Sequence, residues 1–203
     1  MQPTPPCPAV LPRMIRTCEE AVKENHVLQF ARALDFAARK HVHQRRKGEL
    51  AEPYINHLSD VARLLAEATN GEDATLVVAG LLHDTLEDTE TTFDELAKEF
   101  GREVADLVAE VTDDKSLPRA ERKRLQIEQT PKKSLRAKMI KLADKASNLH
   151  SILISPPKEW SVGRKRDYFT WARKVVDGCR GANLRLENEF DRAWQRGMQA
   201  LGE

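Results

Sequence analysis

The chain has 203 residues, 40% hydrophobic and 32% charged, with a mean hydropathy of −0.57, which fits one soluble globular domain and excludes disorder along the whole length. Lys and Arg number 33 against 32 Asp and Glu, a formal net charge of +1, so there is no bulk electrostatic case for binding nucleic acid or an anionic membrane. Cys7, Cys18 and Cys179 form no C-x-x-C pair and their number is odd, which argues against a disulfide framework or a cysteine zinc site and for a reducing, cytoplasmic setting.

Five prolines (Pro3, Pro5, Pro6, Pro8, Pro12) fall in the opening MQPTPPCPAVLPR. That density excludes helix, and the stretch lacks the charged start and apolar run of a signal peptide. Residues 1–25 are expected to form a tail, flexible at least to residue 13, ahead of one domain over 26–203. No run reaches the ~18 apolar residues of a bilayer span, so no membrane partner is expected.

From Leu28 the residues Phe30, Ala31, Leu34, Ala37, Ala38 and His41 recur at three and four, predicting an amphipathic helix. Leu58, Val61, Ala62, Leu65 and Ala68 predict a second, with a Gly- and Pro-bearing loop between them. Ala74–Leu82 is apolar on every side, which periodicity alone assigns to a buried helix or a core strand equally well. Thr92-Phe93-Asp94-Glu95 has the form of a capping box ahead of Leu96 and Phe100, with Gly101 as the helix end. Val104, Leu107, Val108 and Val111 follow. Ser134 is the expected N-cap of a helix carrying Ala137, Ile140, Leu142, Ala143, Ala146 and Leu149, and a long tract from Trp160 to about Trp194 carries Tyr168, Ala172, Val175 and Val176. No alternating strand pattern occurs, so the predicted class is all-α, a single compact helical domain.

Charge is segregated within the neutral total. Asp84 to Asp114 holds twelve acidic and two basic residues, net −10, and Lys115 to Lys145 eleven basic and three acidic, net +8. Most of these side chains are expected on solvated helix faces.

In Leu81-Leu82-His83-Asp84-Thr85-Leu86-Glu87-Asp88-Thr89 two metal-competent side chains are adjacent and two carboxylates follow at i+4. If the helix persists, Glu87 shares a face with His83 and Asp88 with Asp84. Carboxylates gathered against an apolar helix call for a compensating cation, and a divalent metal is the economical one. His57 closes PYINH, and Asp144 and Asn148 stand at i, i+4 in KLADKASNL.

The order H…HD…D resembles the HD superfamily of metal-dependent phosphohydrolases. QRRK, PYINH, LLHDTLEDT and KLADKASNL together, from about Ala33 to Leu186, resemble the hydrolase domain of the RelA/SpoT-homologue family, in particular its stand-alone small alarmone hydrolases, which include the metazoan SpoT homologues. The resemblance implies a compact HD-domain hydrolase fold with His57, His83, Asp84 and Asp144 as ligands of one divalent metal, Mn²⁺ in most members. Two imidazoles and two carboxylates suit manganese, iron or zinc on chemical grounds as well. It implies Glu87 and Asp88 as the catalytic pair, and Arg46, Lys47 and Asn148 as substrate-binding residues. Tyr168, Lys115, Arg119, Trp160 and Arg164 lie in segments similar to substrate-contact regions. His26, His41 and His43 read as ordinary histidines. The chain departs from the family pattern at His150, where the long bacterial members carry arginine, at Leu58, where proline is usual, and in a longer loop from Arg46 to Tyr54.

The implied activity is hydrolysis of the 3′-pyrophosphate of ppGpp or pppGpp to GDP or GTP plus pyrophosphate. No residues remain for a synthetase domain, so no synthetase activity is expected. Another HD nucleotide phosphohydrolase, such as an NADPH 2′-phosphatase, is open as an alternative, as is a homo-oligomer. A non-catalytic module binding RNA or a partner through Arg119, Arg122, Lys123 and Arg124 is disfavoured, because all six metal and catalytic positions are intact.

Overall fold

The computed structural model describes residues 18–202, with side chains from His26 onward. The proline-rich start assigned to a flexible tail lies outside the described residues. Helix α1 (Cys18–Lys40) nevertheless begins within the stretch assigned to that tail. Pro12 is the last proline before the helix, so nothing in the sequence blocks helix from there on.

The described residues form ten α-helices in chain order: α1, then α2 (Ile55–Ala68), α3 (Ala74–Leu82), α4 (Thr85–Asp88), α5 (Phe93–Phe100), α6 (Arg102–Val111), α7 (Arg119–Gln129), α8 (Leu135–Ile154), α9 (Val162–Asp177) and α10 (Leu184–Ala200), with one 3-10 turn at Thr130–Lys132. Among the described residues there is no strand beyond an isolated antiparallel bridge between Arg45 and Pro53. Among the described residues no helix is long and apolar enough to cross a membrane.

α3 is the centre of the molecule, which settles the ambiguity of its apolar run. Asp73 caps it by accepting from the Leu76 N–H at 3.0 Å, and every residue from Leu76 to Leu82 is buried among α1, α2, α6 and α8. A Cβ on Gly80 would lie 2.1 Å from Leu65 Cδ1, so the glycine lets α2 and α3 approach this closely. Gly101, at φ +89°, turns the chain between α5 and α6.

Three expectations are corrected. On α1 the buried face is Ala33, Phe36 and Ala37, with Phe36 edge-on to Phe100 at 5.3 Å, whereas Phe30 and Leu34 are exposed. The tract Trp160–Trp194 is two helices, broken where Gly181 adopts φ +84° and Asn183 caps α10 by accepting from the Leu186 N–H. The capping box is half made: Thr92 Oγ1 accepts from the Glu95 N–H at 3.2 Å, but the Glu95 carboxylate pairs with Lys40 at 2.8 Å instead of turning back. The Ser134 cap forms as expected, accepting from the Ala137 N–H.

Candidate metal centre and cleft

Helix α3 does not persist through Asp88. Thr85 Oγ1 donates to the Leu82 carbonyl at 2.6 Å and His83 Nδ1 lies 2.8 Å from the Gly80 carbonyl. Side chains thus occupy carbonyls that a continuing helix would use, and the chain turns at His83 and Asp84 before α4. In an unbroken helix these neighbours would diverge by roughly 100°. The turn instead aims both into one cavity.

His57 enters from α2 and Asp144 from α8. His57, His83 and Asp144 offer ligand atoms that all lie within 4.8 Å of one another. Asp84 Oδ2 is 3.1 Å from His83 Nε2 and 3.9 Å from His57 Nε2. The four expected ligands are therefore together. Neighbouring groups hold three of them in place: His57 Nδ1 is 3.0 Å from Ser147 Oγ, Tyr54 donates its hydroxyl to Asp84 Oδ2 at 2.6 Å, and Asp144 accepts from Lys145 at 2.8 Å and Asn148 Nδ2 at 2.5 Å.

The donor set fits a divalent cation on an observation of its own. His83 Nε2 is buried and, despite its nearness to Asp84, has no hydrogen-bond partner. A buried nitrogen aimed at two carboxylates and a second imidazole is an unsatisfied group unless a cation fills the gap. The potential points the same way. Burial lowers the pKa of His83, but the Asp84 and Asp144 carboxylates outweigh it and hold the ring up at about 9. Burial is the largest influence on His57 and takes its pKa below the usual value.

Glu87 and Asp88 stand on α4 at the rim of the same cavity. Glu87 accepts from Arg122 Nη1 at 3.2 Å and from the Asp113 N–H at 3.3 Å. Burial, and then the Asp84 and Asp113 charges, raise its carboxyl above the ordinary range. Asp88 accepts from Gln44 Nε2 at 2.8 Å and from Lys115. The acidic and basic segments thus face each other across the cavity, so more of these charges line the site than the sequence expectation of solvated faces allowed.

The cavity is one lobe of a cleft, about 390 Å³, and a second lobe of about 400 Å³ adjoins it. Lys47, Asn148 and Tyr168 line both, and Arg46 lines the second, so all four expected substrate positions come together. Arg46 Nη2 donates to Asn148 Oδ1 at 2.9 Å and its guanidinium lies 5.6 Å from the centre of the Tyr54 ring. Tyr168 packs against Trp160 and Trp171, with its hydroxyl pKa pushed up to about 12 chiefly by burial. Arg119 also lines both lobes, and Arg164 stacks on Trp160 beside them. His150 pairs instead with Glu189 at 3.4 Å and lines a separate hollow. Sequence reasoning missed Gln44, Tyr54, Ser147, Lys145 and Arg122 as partners of the site. Ser147 and Lys145 stood inside the quoted KLADKASNL and Tyr54 inside PYINH, so position in the motifs was the available signal.

The comparisons with known proteins agree with this geometry. A family model described as HD domain matches residues 33–167. Guanosine-3′,5′-bis(diphosphate) 3′-pyrophosphohydrolase MESH1 of Homo sapiens is 50% identical over 171 residues, 84% of this chain and 96% of that one. Its Drosophila melanogaster counterpart is 47% identical over 171 residues, again 84% and 96%. A solved structure described as a metazoan ortholog of SpoT that hydrolyzes ppGpp superposes with a TM-score of 0.80 at 46% identity, over 83% of this chain and 94% of that one. With helices, cleft and the H…HD…D side chains in place, the chain belongs to the HD-domain family, beside the MESH1 pyrophosphohydrolases.

Proposed function

We propose that the chain hydrolyses the 3′-pyrophosphate of ppGpp and pppGpp to GDP or GTP plus pyrophosphate, in the cytoplasm and with Mn²⁺ as its cation. The observation that carries this reading is that the donor set of His57, His83, Asp84 and Asp144 adjoins a cavity lined by the Glu87 and Asp88 carboxylates and a wall of Lys47, Arg119, Arg122, Lys123 and Lys145. Such a wall suits a substrate with several phosphates. The MESH1 relatives, named for this reaction, support it.

A divalent cation on His57, His83, Asp84 and Asp144 supplies Lewis acidity toward the phosphoryl oxygens and acidifies water. Glu87, its carboxyl raised by burial and by neighbouring negative charge, is suited to take a proton from the attacking water. The water oxygen bonds to the phosphorus next to the ribose 3′ oxygen, that ester bond breaks, and Asp88 with Glu87 returns a proton to the leaving oxygen. Arg46 and Lys47 hold the nucleotide in the second lobe, and Asn148 links Arg46 to Asp144.

The test is phosphorus NMR of the purified protein with Mn²⁺ and, separately, ppGpp, pppGpp and NADPH. Undivided pyrophosphate with GDP or GTP is expected. Orthophosphate as the first product, or turnover of NADPH alone, would replace this reading with a simple phosphatase.

A further inference from the structure

Glu87 is held by groups from the charged segments on either side of the cleft, but Asp88 is also reached from the end of α1. Gln44 Nε2 donates to Asp88 Oδ2 at 2.8 Å, and Gln44 Oε1 lies 2.5 Å from His41 Nδ1. His41 is 3% exposed and stacks on Tyr54, with ring centroids 5.3 Å apart and planes 24° apart. Its other ring nitrogen, Nε2, is buried with no hydrogen-bond partner.

One arrangement of protons satisfies these contacts. A neutral imidazole donates from one nitrogen and accepts at the other. With the proton on Nδ1, His41 donates to Gln44 Oε1, the amide is locked with its NH₂ toward Asp88, and the buried Nε2 keeps only a lone pair. With the proton on Nε2, a buried N–H has no acceptor. Nδ1 would then require the Gln44 NH₂, and that flip turns the amide oxygen onto the Asp88 carboxylate. Both consequences are unfavourable.

We propose that His41, acting through Gln44, is a positioning residue that fixes the Asp88 carboxylate at the cleft. The sequence reading of His41 as an ordinary histidine is thereby replaced. The same ring backs Tyr54, whose hydroxyl holds Asp84, so one buried imidazole braces a carboxylate of each kind, catalytic and metal-binding. The inference rests on the proposed role of Asp88. A His41 that only filled space would be replaceable by phenylalanine, which keeps a ring over Tyr54 but offers no donor to Gln44.

Two measurements on the full chain test it. Long-range ¹H–¹⁵N correlation spectra should place the proton of a neutral His41 on Nδ1; a proton on Nε2 overturns the relay whatever the activity. In ppGpp hydrolysis, Gln44→Met and His41→Phe should each lower kcat about 10- to 100-fold, with KM within about twofold and metal content unchanged. His41→Asn restores an amide donor near the Nδ1 position and should recover most of kcat. Wild-type kcat in His41→Phe overturns the proposal, and so does an equal loss in His41→Phe and His41→Asn. A raised KM at unchanged kcat in Gln44→Met makes Gln44 a substrate contact and also overturns it. If the wild-type protein releases no pyrophosphate from ppGpp, the proposed activity fails, while the tautomer still decides the relay.

Discussion

Glu87 is asked to hold a wall and to take a proton. Its two oxygens accept from Arg122 and from the Asp113 N–H, and glutamine can keep one of these contacts while losing the base. Glu87→Gln should therefore retain its metal content, measured by elemental analysis, while kcat falls by about 10²- to 10⁴-fold. Unchanged turnover would leave Glu87 a wall residue only. The donor set gives the complementary result. A saturating cation at about a hundred times its Kd stabilises the folded state by ~2.7 kcal/mol, worth about 5 to 10 °C in Tm at this chain length. Manganese should raise the wild-type melting temperature by that order and leave His83→Ala unmoved; an equal rise in both would place the cation elsewhere. The four candidate ligands were legible because PYINH, LLHDTLEDT and KLADKASNL stand in order and together resemble a known family, whereas a histidine beside an aspartate occurs often by chance. Gln44, Tyr54 and Ser147 stand inside QRRK, PYINH and KLADKASNL, but which group each one holds was not legible. Their contacts to Asp88, Asp84 and His57 span 44, 30 and 90 positions, and no local spacing records a contact that only folding makes.

Among the elements, the helices with an apolar stripe were readable and the others were not. α7 has no buried residue, so it leaves no periodicity to detect. The break between α3 and α4 was hidden because Thr85 and His83 use their side chains on the backbone, a competition that residue order does not reveal. The Trp160–Trp194 tract was read without an internal boundary, although Gly178 and Gly181 stand between α9 and α10. Where α9 and α10 cross, sequence gives no warning of how close they come. A Cβ on Gly197 would lie 1.8 Å from Cε1 of the fully buried Phe169. Gly197→Ala should lose up to about 2 kcal/mol net, because a contact this close puts the overpacking cost at the upper end of about 1–3 kcal/mol, above the ~1 kcal/mol gained in helix propensity. Thermal melts should detect this as a lowered Tm. Gly163→Ala is the control, since its Cβ would meet only Ser161 Oγ at 3.9 Å, and its Tm should not fall. Equal melting temperatures in the two variants would mean that Phe169 swings aside freely.

On the scale of the whole molecule, a net charge of +1 conceals two opposed fields meeting at the cleft. Arg122 reaches Glu87, Lys115 reaches Asp88, and Lys141 lies 3.8 Å from Asp113. A polyanionic substrate must be drawn in by the basic side and screened from the acidic one. Raising ionic strength from about 50 to 300 mM shortens the Debye length from roughly 14 to 6 Å. KM for ppGpp should therefore rise several-fold with kcat nearly constant; a salt-independent KM would mean that the lysines and arginines serve the fold and not the ligand.

The same meeting of charges determines how α7 stays folded. With nothing in the core, it is fastened by the Trp171 indole N–H on the Lys123 carbonyl, by Arg122 on Glu87 and by Gln126 on Asp113. Its amides should exchange as a unit of low opening free energy, ahead of those in the buried helices around α3. Substitutions at Glu87 or Asp113 should therefore lower the hydrogen-exchange protection of α7 as well as alter the chemistry. Kinetic losses measured on such variants therefore combine a missing proton acceptor with a wall that spends more time open.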